Sequence, residues 1–193
     1  MFKQLVLARY EEDLAWVMEN NLMPITKIYN KGSELPPEYT NVVKLPNIGR
    51  EAHTYLIHII SNYENLADVT YFCQGHPFDH SLNFVQKLNN LEINKFTPLG
   101  DFPHRIYKDY LHDESMYDKS LPLIASTLNL TSSLPNVYDF DGGAIFAVPK
   151  KNILDRPLGY YVEAINFFDL DTSSPAAHSL ERLWQFIFSL KAC

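Results

Sequence analysis

The chain has only two cysteines, Cys73 and Cys193, in 193 residues, which excludes a disulfide framework and leaves no thiolate set for a structural metal. Basic residues are also scarce. Lys and Arg number 16 against 23 Asp and Glu, a formal charge of -7, and this excludes the broad basic face that nucleic acid or an anionic membrane requires. No apolar run reaches the length that spans a bilayer. Arg9, Glu11, Glu12 and Asp13 interrupt the N-terminal apolar stretch where a signal peptide needs continuity. Internal repeats and low-complexity segments are missing too. The expectation is a cytoplasmic protein in a reducing compartment, where the sequon Asn129-Leu130-Thr131 carries little weight. What the chain does have is apolar mass, 46% hydrophobic and 13% aromatic, enough for one well-buried core and a single domain over 1–193.

Gln4 to Ala8 predicts a strand that stops at the polar loop Arg9-Tyr10-Glu11-Glu12-Asp13, followed by a short helix carrying Leu14, Trp16, Val17 and Met18. Pro24 to Tyr29 predicts a second strand, closed at Asn30-Lys31-Gly32 by a turn in which glycine can take positive φ. Val42 to Leu45 predicts a short edge strand. Leu45 to His80 is the most informative stretch. Asn47, Gly49 and Arg50 supply a turn and a helix start, and Ala52, Tyr55, Leu56, Ile59, Ile60 and Tyr63 recur at the spacing of one buried helical face. Val69 to Cys73 then predicts a buried strand. This alternation predicts an α/β fold, a Rossmann-like and mostly parallel central sheet with helices on both faces.

Farther on, Phe84, Val85, Leu88 and Leu91 predict one helix. The stretch through His104, Arg105, Tyr107, His112 and Asp113 to Lys119 suits a long functional loop or lid. Gly142 to Val148 predicts a strand, Asn152 and Pro157 open helices, and Ser179 to Leu190 predicts an amphipathic final helix.

Open α/β sheets bind ligands beyond the carboxyl ends of their strands, and the Val69 strand runs into Gln74-Gly75-His76-Pro77-Phe78-Asp79-His80. A carboxylate, two imidazoles and an amide there could bind a divalent metal, orient a sugar hydroxyl or hold a pyrophosphate through a metal. The alternative is that Asp79 caps a helix starting near Ser81, with both histidines exposed. Asn47-Ile48-Gly49-Arg50-Glu51 places a guanidinium and free backbone donors at a helix N-terminus, a ready anion site. Its plainer reading is an ion pair of Arg50 with Glu51 or Glu64. Glu181-Arg182, beside Trp184 at the start of the last helix, offers a general base against apolar surface or a structural ion pair. Asp139-Phe140-Asp141 and Asp169-Leu170-Asp171 match the two-aspartate pattern of many sugar transferases, which chance produces about once in such a chain. Neither directly follows the Val69 strand, so both are secondary candidates.

Ala8-Arg9-Tyr10 with Glu12-Asp13, Ile28-Tyr29-Asn30-Lys31-Gly32, Pro46-Asn47 with Gly49-Arg50-Glu51-Ala52, Gln74-Gly75 with Pro77 and Asp79-His80, Gly143-Ala144 with Phe146-Ala147-Val148, and Glu181-Arg182-Leu183-Trp184 stand in one order along nearly the whole chain. In this they resemble a family catalogued as a domain of unknown function, with members in fungi, algae, bacteria and large algal viruses. The ordering also looks like the nucleotide-binding half of GT-A glycosyltransferases. Enzymes that build the capsid glycans of algal viruses are one setting that the resemblance implies.

The resemblance implies transfer of a sugar from a nucleoside-diphosphate sugar, UDP-linked, to a hydroxyl of a glycan acceptor, with inversion. Ala8, Arg9, Tyr10, Tyr29, Asn30, Lys31 and Asn47 would cradle the nucleotide, Arg50 the diphosphate, and Gln74, Gly75, His76 and Arg182 would complete the donor site. Glu181 would be the base, with Asp79 as the alternative base or a donor-sugar contact. One departure matters: where the GT-A pattern has two aspartates, this chain has Gln74 to Asp79. Either Asp79 and His80 help form an unusual manganese or magnesium site, or cationic side chains stabilise the diphosphate without a metal. Two other readings stay open, a metal-dependent hydrolase using His76, Asp79 and His80, and a glycan-binding module without turnover. The transferase reading requires Arg50, Asp79 and Glu181 to converge on one cleft.

Overall fold

The computed structural model describes residues 2–107, 120–168 and 175–189. Its main sheet has six strands in the order β3-β2-β1-β4-β8-β5: β1 (Lys3–Arg9), β2 (Thr26–Asn30), β3 (Val42–Lys44), β4 (Val69–Gln74), β5 (Thr97–Pro98) and β8 (Phe146–Pro149). The first four are mutually parallel, and β8 lies antiparallel between β4 and β5. The sheet is therefore α/β and mostly parallel, as the strand and helix alternation predicts.

Alternation of side chains along each strand builds two cores. Val6 and Ala8 of β1, Phe72 of β4 and Phe146 and Val148 of β8 face one layer. That layer holds α2 (Arg50–Asn62), α4 (Ser120–Thr127), α5 (Lys150–Leu154), α6 (Leu158–Ile165) and α7 (Pro175–Ser189). Leu5 and Leu7, Val69, Tyr71 and Cys73, and Ala147 face the other, with α1 (Ala15–Glu19) and α3 (Phe84–Asn90). Ala52, Tyr55, Leu56 and Ile59 of α2 are buried, and Ile60 and Tyr63 pack at the margin of the same core.

Several local expectations shift. Pro24 lies in a 3₁₀ turn over Met23–Ile25, so β2 starts two residues later, where the backbone can donate to the ladder. Gly142 and Gly143 precede β8 instead of belonging to it, and Gly143 and Ala144 take φ of 86° and 50°. The last helix begins at Pro175, so Glu181 and Arg182 lie in its second turn instead of at its start. Part of the expected lid is a strand: β6 (Pro103–Tyr107) pairs antiparallel with β7 (Val137–Asp141) in a separate ribbon, and α4 was not anticipated. Residues 108–119, with His112 and Asp113, lie outside the described residues.

Candidate functional site

The chain leaves β1 through α1 on one face of the sheet to reach β2, and leaves β3 through α2 on the other face to reach β4. Neighbouring strands β1 and β4 therefore part company at their carboxyl ends, which makes a crevice at the switch point of the sheet. A cavity of about 220 Å³ occupies it, lined by Ala8, Arg9, Tyr10, Glu12, Lys31, Asn47, Arg50, Glu51 and Gln74.

Local chemistry holds its walls. Arg9 is buried and donates to Asn30 Oδ1 at 2.8 Å, Ser33 O at 2.8 Å and Glu12 O at 3.0 Å. A Cβ at Gly32 would fall 1.8 Å from the Tyr10 carbonyl oxygen. The turn thus needs glycine for space, and Gly32 is not among the residues with positive φ. Lys31 crosses from this turn to the start of α2, donating to Ile48 O at 2.6 Å and to the Arg50 carbonyl. Gly49 and Arg50 there take φ of 56° and 49°, and the left-handed conformation strains the arginine.

The charges are poised. Burial pulls Lys31 down to about 8 against the attraction of Glu51. Burial pushes the Glu51 carboxyl up, Arg50 and Lys31 pull it down, and the charge of Glu181 adds to the rise. Arg50 Nε lies 3.6 Å from Glu51 Oε2, so the expected ion pair exists, while the Arg50 side chain remains 49% exposed.

A second cavity of about 180 Å³ lies between β8, the β6–β7 ribbon and α7, lined by residues that include Phe96, Asp139, Phe140, Asp141, Glu181, Trp184 and Gln185. Glu181 Oε1 accepts the Gly143 N–H at 2.7 Å, and its Oε2 stands 3.8 Å from Arg182 Nη1. His80 packs on Gly143 so closely that a Cβ there would come within 2.6 Å of the imidazole. The Tyr55 hydroxyl of α2 donates to Ala144 O at 3.1 Å, fastening the same turn from below. Glu51 and Glu181 both act on Tyr55, whose hydroxyl burial already pushes well above its ordinary range. The two cavities share no lining residue, and Glu181 of one reaches Glu51 of the other only through its charge.

Residues 5–193 match the family described as Protein of unknown function (DUF3431). The chain belongs to that family. No curated protein and no solved structure matches it.

In this DUF3431 chain, Ala8, Arg9, Tyr10, Lys31, Asn47, Arg50 and Gln74 come together around the switch-point cavity. Other candidates do not reach it. Tyr29 is 1% exposed in the core, its hydroxyl 3.0 Å from His58 Nδ1. Asn30 is buried and occupied by Arg9, the Gly32 N–H and Ser33 O. Gly75 gives its carbonyl to Trp16 Nε1 at 3.0 Å and lies under Glu12. Arg182 donates to His178 O and covers the Phe140 ring at 5.0 Å.

His76 and Asp79 form an exposed pair at 3.7 Å, with Asp79 76% exposed, and neither lines either cavity. Asp79 ends a 3₁₀ turn over Pro77–Asp79, which carries it away from the crevice instead of capping a helix. The expected three-way convergence on one cleft is not met: Arg50 lines the switch-point cavity, Glu181 lines the cavity beside α7, and Asp79 lines neither. Among the described residues no three His, Cys, Asp or Glu side chains gather to hold a metal ion, so Asp79 and His80 are not joined by a third ligand. Asp139 is engaged by Arg105 at 2.8 and 3.0 Å, and Asp169-Leu170-Asp171 lies outside the described residues.

Sequence patterns give no functional role to Glu12, Phe96 or Gln185 and make Glu51 only an ion-pair partner of Arg50, yet all four line a cavity. Glu51 had a usable signal: it follows the anion-site arginine directly in the chain. Phe96 and Gln185 had none, because only tertiary packing brings them to the same wall. Among the described residues, no helix is long and apolar enough to cross a membrane.

Proposed function

We propose that this protein is a glycosyltransferase that moves a sugar from a nucleoside-diphosphate sugar, UDP-linked, to a hydroxyl of a glycan acceptor with inversion. The observation that carries this reading is the switch-point cavity, where Lys31 and Arg50 flank the open ends of β1 and β4. An α/β sheet binds nucleotides at that position, and two cations there suit a diphosphate. Tyr10, 51% exposed on the rim, offers a ring on which a base can stack.

In this reaction the acceptor hydroxyl gives its proton to Glu181 while its oxygen bonds to the anomeric carbon. The bond from that carbon to the diphosphate breaks, and the leaving oxygen keeps the electron pair. Lys31 and Arg50 stabilise the charge that develops there. The described residues supply no ready metal cage, and the two cations are assigned this task without one. Arg9, already committed to three oxygens, acts as scaffold for the cavity wall.

The test is thermal stabilisation by UDP, GDP, UMP and UDP-sugars, each with and without manganese. Stabilisation by a nucleoside diphosphate, lost in Arg50→Ala, supports the transferase. Stabilisation by manganese alone with no response to any nucleotide overturns it in favour of a metal-dependent hydrolase.

A further inference from the structure

The cavity beside α7 is a separate space from the one assigned to the nucleotide, and it has a different chemistry. Phe96, Phe140 and Trp184 give it aromatic walls, and Asp141, Glu181 and Gln185 give it polar atoms. Its lining contains no Lys or Arg. Asp139 is neutralised by the two-point contact with Arg105, while Glu181 keeps an oxygen that accepts only the Gly143 N–H and one that lies 3.8 Å from Arg182, and Asp141 is the third carboxylate of the lining. Trp184 is 1% exposed, and its indole N–H has no hydrogen-bond partner, an orphaned donor in the wall of a cavity.

We infer that this cavity receives the acceptor of the transfer, and that it selects a neutral, polyhydroxylated sugar over an anionic one. The inference rests on the transferase reading above and adds the acceptor's chemical class. A sugar ring has an apolar C–H face and a rim of hydroxyls. The aromatic walls match the face, and the carboxylates accept hydrogen bonds from the rim. A carboxylate or sulfate on the sugar would instead meet Asp141 and Glu181 in a partly desolvated space whose nearest cations, Arg105 and Arg182, are already engaged by Asp139 and by Glu181 and the Phe140 ring, which costs more than the contact returns. Glu181, assigned above as the base, lines this cavity, so a hydroxyl held here shares its walls with the group that takes the proton.

The test follows the two indole N–H signals by ¹H–¹⁵N spectroscopy, with Trp184→Phe assigning the Trp184 signal. Methyl glucoside, methyl galactoside and the methyl glycoside of glucuronic acid are titrated into the intact protein, and UDP is titrated separately. The expected result is a saturable shift of the Trp184 signal by at least one neutral glycoside, with the glucuronide at least tenfold weaker. Asp141→Asn should narrow that gap while keeping the cavity's shape. If UDP binds and no glycoside moves Trp184, or the glucuronide binds as well as the neutral sugars, the acceptor inference falls and the transferase reading stands. If glycosides bind as expected but no nucleotide does, the transferase reading falls and the cavity remains a binding site for neutral sugars.

Discussion

The switch-point cavity and the cavity beside α7 are built from opposite kinds of sequence. The first is assembled from the ends of successive elements in the parallel half of the sheet, and each contributes residues at or next to its own strand or helix terminus: Arg9 at the end of β1 and Tyr10 after it, Lys31 after β2, Asn47 before α2 and Arg50 at its start, Gln74 at the end of β4. The second draws Phe96, Phe140, Ile145, Glu181 and Trp184 from segments that share only a place in the tertiary packing. The first carries positive charge and the second carries oxygen acceptors and rings. A site made from strand ends follows from topology, whereas a site made from a helix face against a ribbon depends on how far that helix and ribbon are pushed together.

The division of labour can be broken most sharply at Glu181. Glu181→Gln keeps the size of the side chain and an oxygen for the Gly143 N–H, so it should lower the transfer rate by about 10²–10⁴ with UDP affinity nearly unchanged, as single-turnover kinetics and calorimetry would show. An equal loss in UDP binding would mean that the two cavities are one site. Arg50→Ala should lower UDP affinity as well as the transfer rate. Removal of a charge-assisted contact worth roughly 1.5–3 kcal/mol weakens UDP binding about 10- to 100-fold, and glycoside titration of the second cavity should be unaffected.

Lys31 sharpens the contrast through pH. Burial lowers it to about 8 from an ordinary 10.5, so above pH 8 the free cavity loses this cation and UDP affinity should fall, by roughly tenfold between pH 7 and 9.5. Its contribution to stability has the opposite sign. Between about 8 and 10.5 the unfolded chain binds more protons at this group than the folded chain does, so its stability contribution rises with pH through that window and is lost as pH falls to about 8. Calorimetric UDP titrations and denaturant melts of wild type and Lys31→Met across this range separate the two effects.

Tyr29→Phe removes a buried bond to His58 and should cost about 1–3 kcal/mol of stability without altering UDP affinity. The smallest effect is expected at Asp79. Asp79→Asn breaks only an exposed contact with His76, and should change stability by less than about 0.5 kcal/mol and leave the transfer rate within a factor of a few. A thousandfold loss of rate would return Asp79 to the reacting centre.

These expectations follow the legibility of the chain. β1, β4 and the buried face of α2 were readable because alternation and helical spacing report directly on which side chains meet the core. Arg50 was readable because it lies at a helix start, a ready anion site, whereas Lys31 was legible from the residues only as part of a turn and entered the site through the resemblance. The strand β6 was not, since its exposed His104 and Arg105 carry no apolar alternation and its partner β7 begins 30 residues after it ends. Tyr29 and Asn30 were misplaced for a related reason: a motif gives the order of residues, but alternation sends Tyr29 into the core, and local hydrogen bonding consumes Asn30 within the turn.

The amino-acid sequence by itself determined the parallel half of the sheet, the amphipathic α2 that crosses it, and the charged termini gathered at one end, because these depend on periodicity and on residues adjacent in the chain. Only tertiary structure decided that Glu51 and Glu181 would influence each other, that Gly143 would be pinned between His80 and Glu181, and that Asp79 would turn toward solvent. Those outcomes depend on helix placement and close packing between distant segments, for which spacing along a chain carries no signal.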